Sequence, residues 1–325
     1  MAEIIQKVKG HSNFYPKILE GKEEVDREFT LYMYEPDDGI NEDTGILLLI
    51  VGFGLNSNSN VCKKMRRVFS NKYNLITIQC DYFGWEFMQG KIEKEDIYNF
   101  CDMSFLQVMD NIYTTIYTIN HILSKGIRIN FKKVIIYGDS HGGYLAHLCN
   151  IYSGIFTHIL DNSSWLYPQY LIYDREVNTE GKILSFNYLA KEIIGNNNDF
   201  LKLSFLYNHF SNDCIIKSYH GIDDTLVSYE DKYEIFRGGR YINCLELIKV
   251  STPDNNIFFS TSHSLGVDYL KLFELFYSNL HFEKDCMFNM LDEITFESDN
   301  NIQLSIDYSN ILPTMRFKII DNKLL

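Results

Sequence analysis

Proline is scarce in this chain, five residues in 325, and tryptophan scarcer still at two. A polyproline linker is therefore excluded, and no internal repeat or low-complexity stretch stands in for one. Cysteine occurs seven times, at positions 62, 80, 101, 149, 214, 244 and 286, without a Cys-x-x-Cys pair. The odd count and scattered spacing exclude a disulfide framework, and most of these residues sit in apolar runs, as reduced core thiols do. No apolar run approaches the length needed to span a bilayer. Met1-Ala-Glu-Ile-Ile-Gln-Lys7 lacks the apolar core of a signal peptide, so a cytoplasmic location is expected. Positive charge is in deficit: 30 Lys and Arg against 43 Asp and Glu leave a net charge of −13. That balance argues against nucleic acid or an anionic membrane as a partner. No metal-ligand spacing and no phosphate-cradling glycine loop is present, so neither metal nor cofactor is expected. What remains is ample apolar material, 46% hydrophobic and 15% aromatic residues, for one large α/β domain with an appendage.

The order of segments supports that class. Ile46-Leu-Leu-Leu-Ile-Val51 is a continuous apolar run, as in a central parallel strand buried on both faces. A helix follows at about 61–69, then a strand over 74–80. Leu106, Met109, Ile112, Ile116 and Ile119 mark one face of a helix over 106–123. Further strands are expected at 134–137, 157–160, 215–219 and 243–250, and a long amphipathic helix at 265–280. Residues 28–35 alternate weakly and read as an edge strand, whereas 1–26 are polar and mixed. This alternation predicts a mostly parallel sheet with helices on both faces. The tail, 283–325, differs. Ile294-Thr-Phe-Glu297 and Ile302-Gln-Leu-Ser-Ile-Asp-Tyr308 alternate around Ser298-Asp-Asn-Asn301, the pattern of a hairpin. It is expected to be an appended β element or a contact between copies of the chain, with 1–282 as the main domain.

One stretch organises the rest: Val134-Ile-Ile-Tyr-Gly138-Asp-Ser140-His-Gly142-Gly143-Tyr144. A β-branched run meets a Gly-x-Ser-x-Gly-Gly turn, and an amphipathic segment, 144–152, follows. Strand, sharp turn and helix would hold the Ser140 hydroxyl exposed above the sheet edge, with helix N–H groups aimed at whatever it attacks. The pentapeptide alone is a weak signal, and its context supplies the specificity. A serine hydroxyl needs a base within hydrogen-bond reach and a third group to orient that base. The 215–219 strand runs into His220-Gly-Ile-Asp223-Asp224-Thr-Leu-Val227. The 243–250 strand leads to Ser262-His263-Ser264. Ser140, Asp224 and His263 therefore follow one another, each after an expected strand.

This order resembles that of the α/β-hydrolase superfamily, over roughly residues 28–280. His220-Gly-x-x-Asp224-x-x-Val227 is similar to the acid loop of its prolyl-oligopeptidase-like and dienelactone-hydrolase-like members, and Gly138-Asp-Ser-His-Gly-Gly143 is similar to the elbow of the former. Ser140-His-Gly-Gly-Tyr-Leu-Ala-His147 and Asp161-Asn-Ser163 look closest to an uncharacterised bacterial branch, a domain of unknown function. The resemblance implies the fold and a Ser140–Asp224–His263 triad, but no substrate. Ser228 stands where such acid loops often carry proline. The resemblance also implies an oxyanion hole from the His141 N–H and one donor in the loop after Ile46. Many relatives have His-Gly before that donor, whereas here the string is Val51-Gly52-Phe53-Gly54; Phe53 is the choice and Gly54 the second.

Residues 163–212 lie where the superfamily often inserts a cap. Trp165, Tyr167, Tyr170, Tyr173, Phe186, Tyr188, Phe205 and Tyr207 would let it roof a pocket in which Gly54 and Trp165 meet substrate. His141 reads as structural or as pocket lining, and His147, His158 and His220 as core or loop residues. The expectation is a serine esterase that acts on a small-molecule carboxylic ester, with an acyl or acetyl group on a small molecule or sugar as examples. A peptidase or acyltransferase with the same triad is one alternative, and a non-catalytic binding protein on the same fold is another.

Overall fold

The computed structural model describes residues 3–90, 94–179, 181–195, 197–210, 213–239, 244–298 and 301–319. Asn243, the end of the expected cap at 211–212 and the last six tail residues fall outside them. The strands are β1 (Ile4–Lys9), β2 (Glu28–Tyr34), β3 (Gly45–Ile50), β4 (Leu75–Cys80), β5 (Val134–Asp139), β6 (His158–Asn162), β7 (Arg175–Thr179), β8 (Lys182–Phe186), β9 (Ile215–Gly221), β10 (Leu245–Val250), β11 (Glu293–Glu297), β12 (Ile302–Asp307) and β13 (Thr314–Ile319). The helices are α1 (Tyr15–Glu20), α2 (Asn60–Tyr73), α3 (Phe105–Ser124), α4 (His141–Ser153), α5 (Ala190–Ile193), α6 (Leu203–His209), α7 (Tyr229–Gly238) and α8 (Tyr269–Tyr277).

Continuous apolar strands need cover on both faces, and β3, β4 and β5 are buried at every position. They belong to an eight-stranded sheet of order β1-β2-β4-β3-β5-β6-β9-β10. From β4 to β10 every neighbouring pair is parallel, while β1–β2 and β2–β4 are antiparallel. Successive side chains of β3 diverge to opposite layers. Ile46, Leu48 and Ile50 join the core built on α3 and α4. Leu47 and Leu49 join Met65 and Phe69 of α2 and Leu272, Phe273 and Phe276 of α8.

Some elements differ from the sequence expectation. Residues 28–34 are not an edge strand, because β1 pairs outside them. β1 lies in the polar N-terminal region and buries only Val8 fully, so it carries little apolar signal. The helix expected from Leu265 begins at Tyr269. Ser264, Leu265 and Gly266 all have left-handed φ, and Asp268 caps the helix by accepting from the Leu270 and Lys271 amides at 3.0 and 3.2 Å.

The tail hairpin forms as β11 and β12, and β13 adds a third antiparallel strand. Its inward residues Ile294, Phe296, Leu304, Ile306 and Met315 enter the same core as α3 and α4. Each such burial is worth about 1.5–3 kcal/mol. The Tyr308 hydroxyl donates to the Tyr152 carbonyl of α4 at 2.6 Å, and the Met315 amide donates to His11 Nε2 at 3.0 Å. The inner face of this small sheet is thus occupied by the chain's own helices.

Candidate active site

In a parallel sheet, ligands bind outside the carboxyl ends of strands where the winding direction reverses. Here β3 leads outward to β4 on one side and β5 leads to β6 on the other, so the reversal lies between β3 and β5. The loops after those two strands are Gly52-Phe53-Gly54 and the Ser140 turn.

Ser140 has φ 54° and ψ −119°, a strained conformation for a residue with a side chain. The strain is held from both sides. The Ser140 amide donates to the Asn162 carbonyl at 2.8 Å, and its own carbonyl accepts from the Tyr144 amide at 3.1 Å to open α4. Strand and helix approach so closely that only glycine fits. A Cβ on Gly138 would lie 2.4 Å from the Gly142 carbonyl oxygen, and one on Gly142 would lie 2.1 Å from that of Ile50.

β9 ends in a turn whose closure also depends on glycine, since a Cβ on Gly221 would lie 2.0 Å from the Thr261 oxygen. This close approach brings the acid loop against the His263 loop. Asp224 is buried; its Oδ1 accepts from the Leu226 and Val227 amides at 2.9 and 3.0 Å. Its Oδ2 lies 2.7 Å from His263 Nδ1, and His263 Nε2 lies 2.6 Å from Ser140 Oγ. With Nδ1–H donating to the carboxylate, Nε2 presents its lone pair to the serine hydroxyl. Burial pushes the Asp224 carboxyl up, but the hydrogen bond and charge of His263 and the Val227 amide outweigh it, so the carboxyl stays below its ordinary range. Asp223 points elsewhere: it is exposed and its Oδ2 accepts from Thr261 Oγ1 at 2.6 Å.

Ser228, at the usual proline position, caps α7 by accepting from the Asp231 amide at 3.0 Å. Asn162 ties the nucleophile turn to the histidine loop, donating to Asp139 Oδ1 at 2.7 Å and to the Ser264 carbonyl at 3.2 Å. Burial raises the Asp139 carboxyl to about 6.

His141 is the first residue of α4, so its amide is among those without an intrahelical acceptor. Its ring is fully buried, with Nε2 3.3 Å from the Met103 carbonyl, and burial lowers its pKa to about 3. A ring that stays neutral there is no proton carrier. Phe53 lies in the turn after β3, its ring 5.4 Å from His141, 5.7 Å from Trp165, 4.9 Å from Tyr170 and 5.6 Å from Tyr188. The Arg175 guanidinium covers Phe53 at 4.9 Å and donates to the Met88 carbonyl at 2.8 Å. Gly54, at φ 90°, packs under Arg175. Trp165 is 1% exposed, and its Nε1 has no hydrogen-bond partner. The aromatics of 163–212 therefore divide. Trp165, Tyr170 and Tyr188 gather on Phe53, whereas Phe205 packs on Phe200 and Tyr207 points inward to His147.

No protein-family model and no curated protein sequence matches the chain. Solved structures do match. The chain is similar to a "putative hydrolase" from Agrobacterium vitis S4, with TM-score 0.52 and 11% identity over 86% of this chain and 98% of that one. It is also similar to a thermophilic esterase, Est2, from the planctomycete Thermogutta terrifontis, with TM-score 0.50 and 16% identity over 83% and 90% of the two chains. This chain has the α/β-hydrolase fold.

Within the α/β-hydrolase fold, sequence reasoning missed a set of polar residues behind Asp224. Asp161, Lys232, His220, His147, Ser164 and Ser218 are all fully buried. His220 read as a core or loop histidine, and Lys232 was not singled out. The available signal was Phe236, which shares the Lys232 face at i+4 and is itself buried. Among the described residues no three His, Cys, Asp or Glu side chains are grouped to hold a metal ion, and no helix is long and apolar enough to cross a membrane.

Proposed function

We propose that the protein is a serine hydrolase that cleaves a carboxylic ester through an acyl-enzyme on Ser140. The supporting observation is the unbroken series from Ser140 Oγ to His263 (2.6 Å) to Asp224 (2.7 Å) at the winding reversal of the sheet. Ser140 attacks the ester carbonyl while His263 Nε2 takes its proton. Asp224 keeps the imidazole in the Nδ1–H tautomer and stabilises the imidazolium. The amides of His141 and Phe53 bind the oxyanion as charge develops. His263 then returns the proton to the leaving alcohol; water, deprotonated by the same imidazole, adds to the acyl carbon, and the bond to Ser140 Oγ breaks as that proton passes to the serine and the acid leaves. Segment 163–212 roofs this site, with Trp165, Tyr170 and Tyr188 shaping the acyl pocket and Gly54, beneath Arg175, at its rim. The free cysteines support a reducing, cytoplasmic setting.

The double glycine that motivates a peptidase has a packing reason instead, since a Cβ on Gly143 would lie 2.8 Å from the Ser164 Cβ. Ester cleavage also asks least beyond nucleophile, base and oxyanion donors. A fluorophosphonate tests the reading: it should label folded wild-type protein on Ser140, and Ser140→Ala should abolish labelling. Folded wild-type protein that stays unlabelled would favour a binding role for the fold.

A further inference from the structure

Behind the candidate triad lies a chain of buried polar groups that the proposed reaction does not itself use. Asp161 sits on β6 with its carboxylate fully satisfied. Oδ1 accepts from the Ser164 amide at 2.8 Å. Oδ2 faces Ser218 Oγ at 2.6 Å, Ser164 Oγ at 2.8 Å, Lys232 Nζ at 2.8 Å and His147 Nε2 at 3.1 Å. Tyr207 hydrogen bonds the other nitrogen of His147. Lys232 reaches from α7, also donating to Ser164 Oγ at 2.8 Å, and its remaining N–H is shared between the Ser164 carbonyl and His220 Nδ1, each at 3.5 Å. On its far side, His220 Nε2 lies 2.8 Å from the Val227 carbonyl and 3.3 Å from Asp224 Oδ2.

Such a cluster is expensive. Burying an ion pair usually costs as much as it returns, and an apolar replacement of the same shape is often more stable. It is therefore weak as a stability device, and its position calls for another reason. The reason lies in the histidine's tautomer. Lys232 has only protons to offer, so the nitrogen facing it must carry the lone pair. His220 then carries its hydrogen on Nε2, donated to the Val227 carbonyl, with the Asp224 carboxylate beside it at 3.3 Å. In the opposite tautomer, a lone pair would face two oxygens at these same distances, and Asp224 would be pushed away from His263.

The geometry points to Lys232 and His220 as positioning residues for Asp224: the Val227 carbonyl and the ammonium, on opposite sides of the ring, select the same tautomer of His220, and His220 steadies the oxygen that orients His263. Burial lowers the Lys232 pKa, and the charge and hydrogen bond of Asp161 oppose that shift and fix the ammonium in place. Burial lowers the pKa of His220 to about 4, with the Lys232 charge adding to the effect, so the ring is neutral as the role requires. For Asp161, burial pushes the carboxyl up, but Lys232 and His147 outweigh it and hold it ionised.

The inference rests on the serine-hydrolase reading, and its experiment keeps the two separable. The probes are fluorophosphonate inactivation kinetics and the downfield proton resonance of the Asp224···H–Nδ1 bond of His263, read without turnover. In His220→Leu the maximal inactivation rate should fall about 10- to 100-fold, the scale of a small misplacement of a reacting group. The half-saturating probe concentration should hold, and the resonance should broaden or vanish. His220→Gln, which restores an N–H toward Asp224, should recover most of the rate and the signal. If His220→Leu does not fold, Lys232→Gln, too short to reach Nδ1, is read in the same way. An inactivation rate within about twofold of wild type with an unchanged resonance overturns the inference while leaving the hydrolase reading intact. Should wild-type protein not be labelled at all, the hydrolase reading falls. The resonance then decides alone: lost in Leu and kept in Gln supports the positioning of Asp224, and unchanged in both overturns it.

Discussion

Asp223 and Asp224 are adjacent in sequence, yet one carboxylate is exposed against Thr261 and the other is buried against His263. Successive side chains leave the backbone in different directions, so only one of the two can serve the imidazole. Asp224→Asn should drop kcat by a factor on the order of 10⁴, because an amide favours the wrong imidazole tautomer and does not stabilise the imidazolium. Asp223→Asn should change stability by no more than about 0.5 kcal/mol and leave turnover near wild type. Steady-state kinetics on one ester, with circular dichroism as the folding control, compares them; the reverse pattern would shift the acid by one residue. Ser140, Asp224 and His263 were legible in the sequence because each follows a strand in a fixed order. Lys232 was not, because charge on a helix ordinarily means solvent, and only the tertiary placement of Asp161 reverses that rule.

Among the elements, the strand–turn–helix at Ser140 is the most constrained. In Gly142→Ala the new methyl would press on the Ile50 carbonyl, a backbone atom that cannot step aside. Overpacking of this kind costs roughly 1–3 kcal/mol; urea unfolding should show that loss, together with slower Ser140 labelling as the turn shifts. The cap is a softer target. Tyr170 is half-buried at the edge of the Phe53 cluster. Tyr170→Ala should widen the proposed acyl site and raise the relative rate on longer-chain p-nitrophenyl esters, with little change in Tm. An unchanged chain-length profile would remove Tyr170 from the pocket. The buried runs at β3, β4 and β5 were readable because a strand covered on both faces leaves no polar position. β1 and β13 were not, since an edge strand that buries one or two residues differs little from a polar loop.

At the scale of the molecule, buried ionisable groups set how stability depends on pH. Burial lowers His141 to about 3 and His158 and His220 to about 4, from 6.5. Below 6.5 the unfolded chain binds more protons at these three sites, so stability falls as pH falls. Burial raises Asp102 and Asp139 to about 6, from 3.8, and these two act in the opposite sense, favouring the folded state as pH falls below 6. Three histidines outweigh two aspartates of similar shift. Tm should therefore be lower at pH 5 than at pH 7, falling steadily once the pH drops below about 6.5. Differential scanning calorimetry across that range checks it, and a Tm that rises toward pH 5 would contradict the balance of signs.

The hydrogen bond between Met315 and His11 joins residues 304 positions apart. Phe317 packs on Phe14 and Phe105, so the last strand closes a core that the first helix begins. During synthesis, therefore, α1 and the outer faces of α3 and α4 wait bare until β11 to β13 have been translated. For that interval the nascent polypeptide carries an uncovered apolar stripe, the surface that ribosome-associated chaperones bind. A chain stopped before residue 294 would hold the eight-stranded sheet without the small sheet that covers these helix faces.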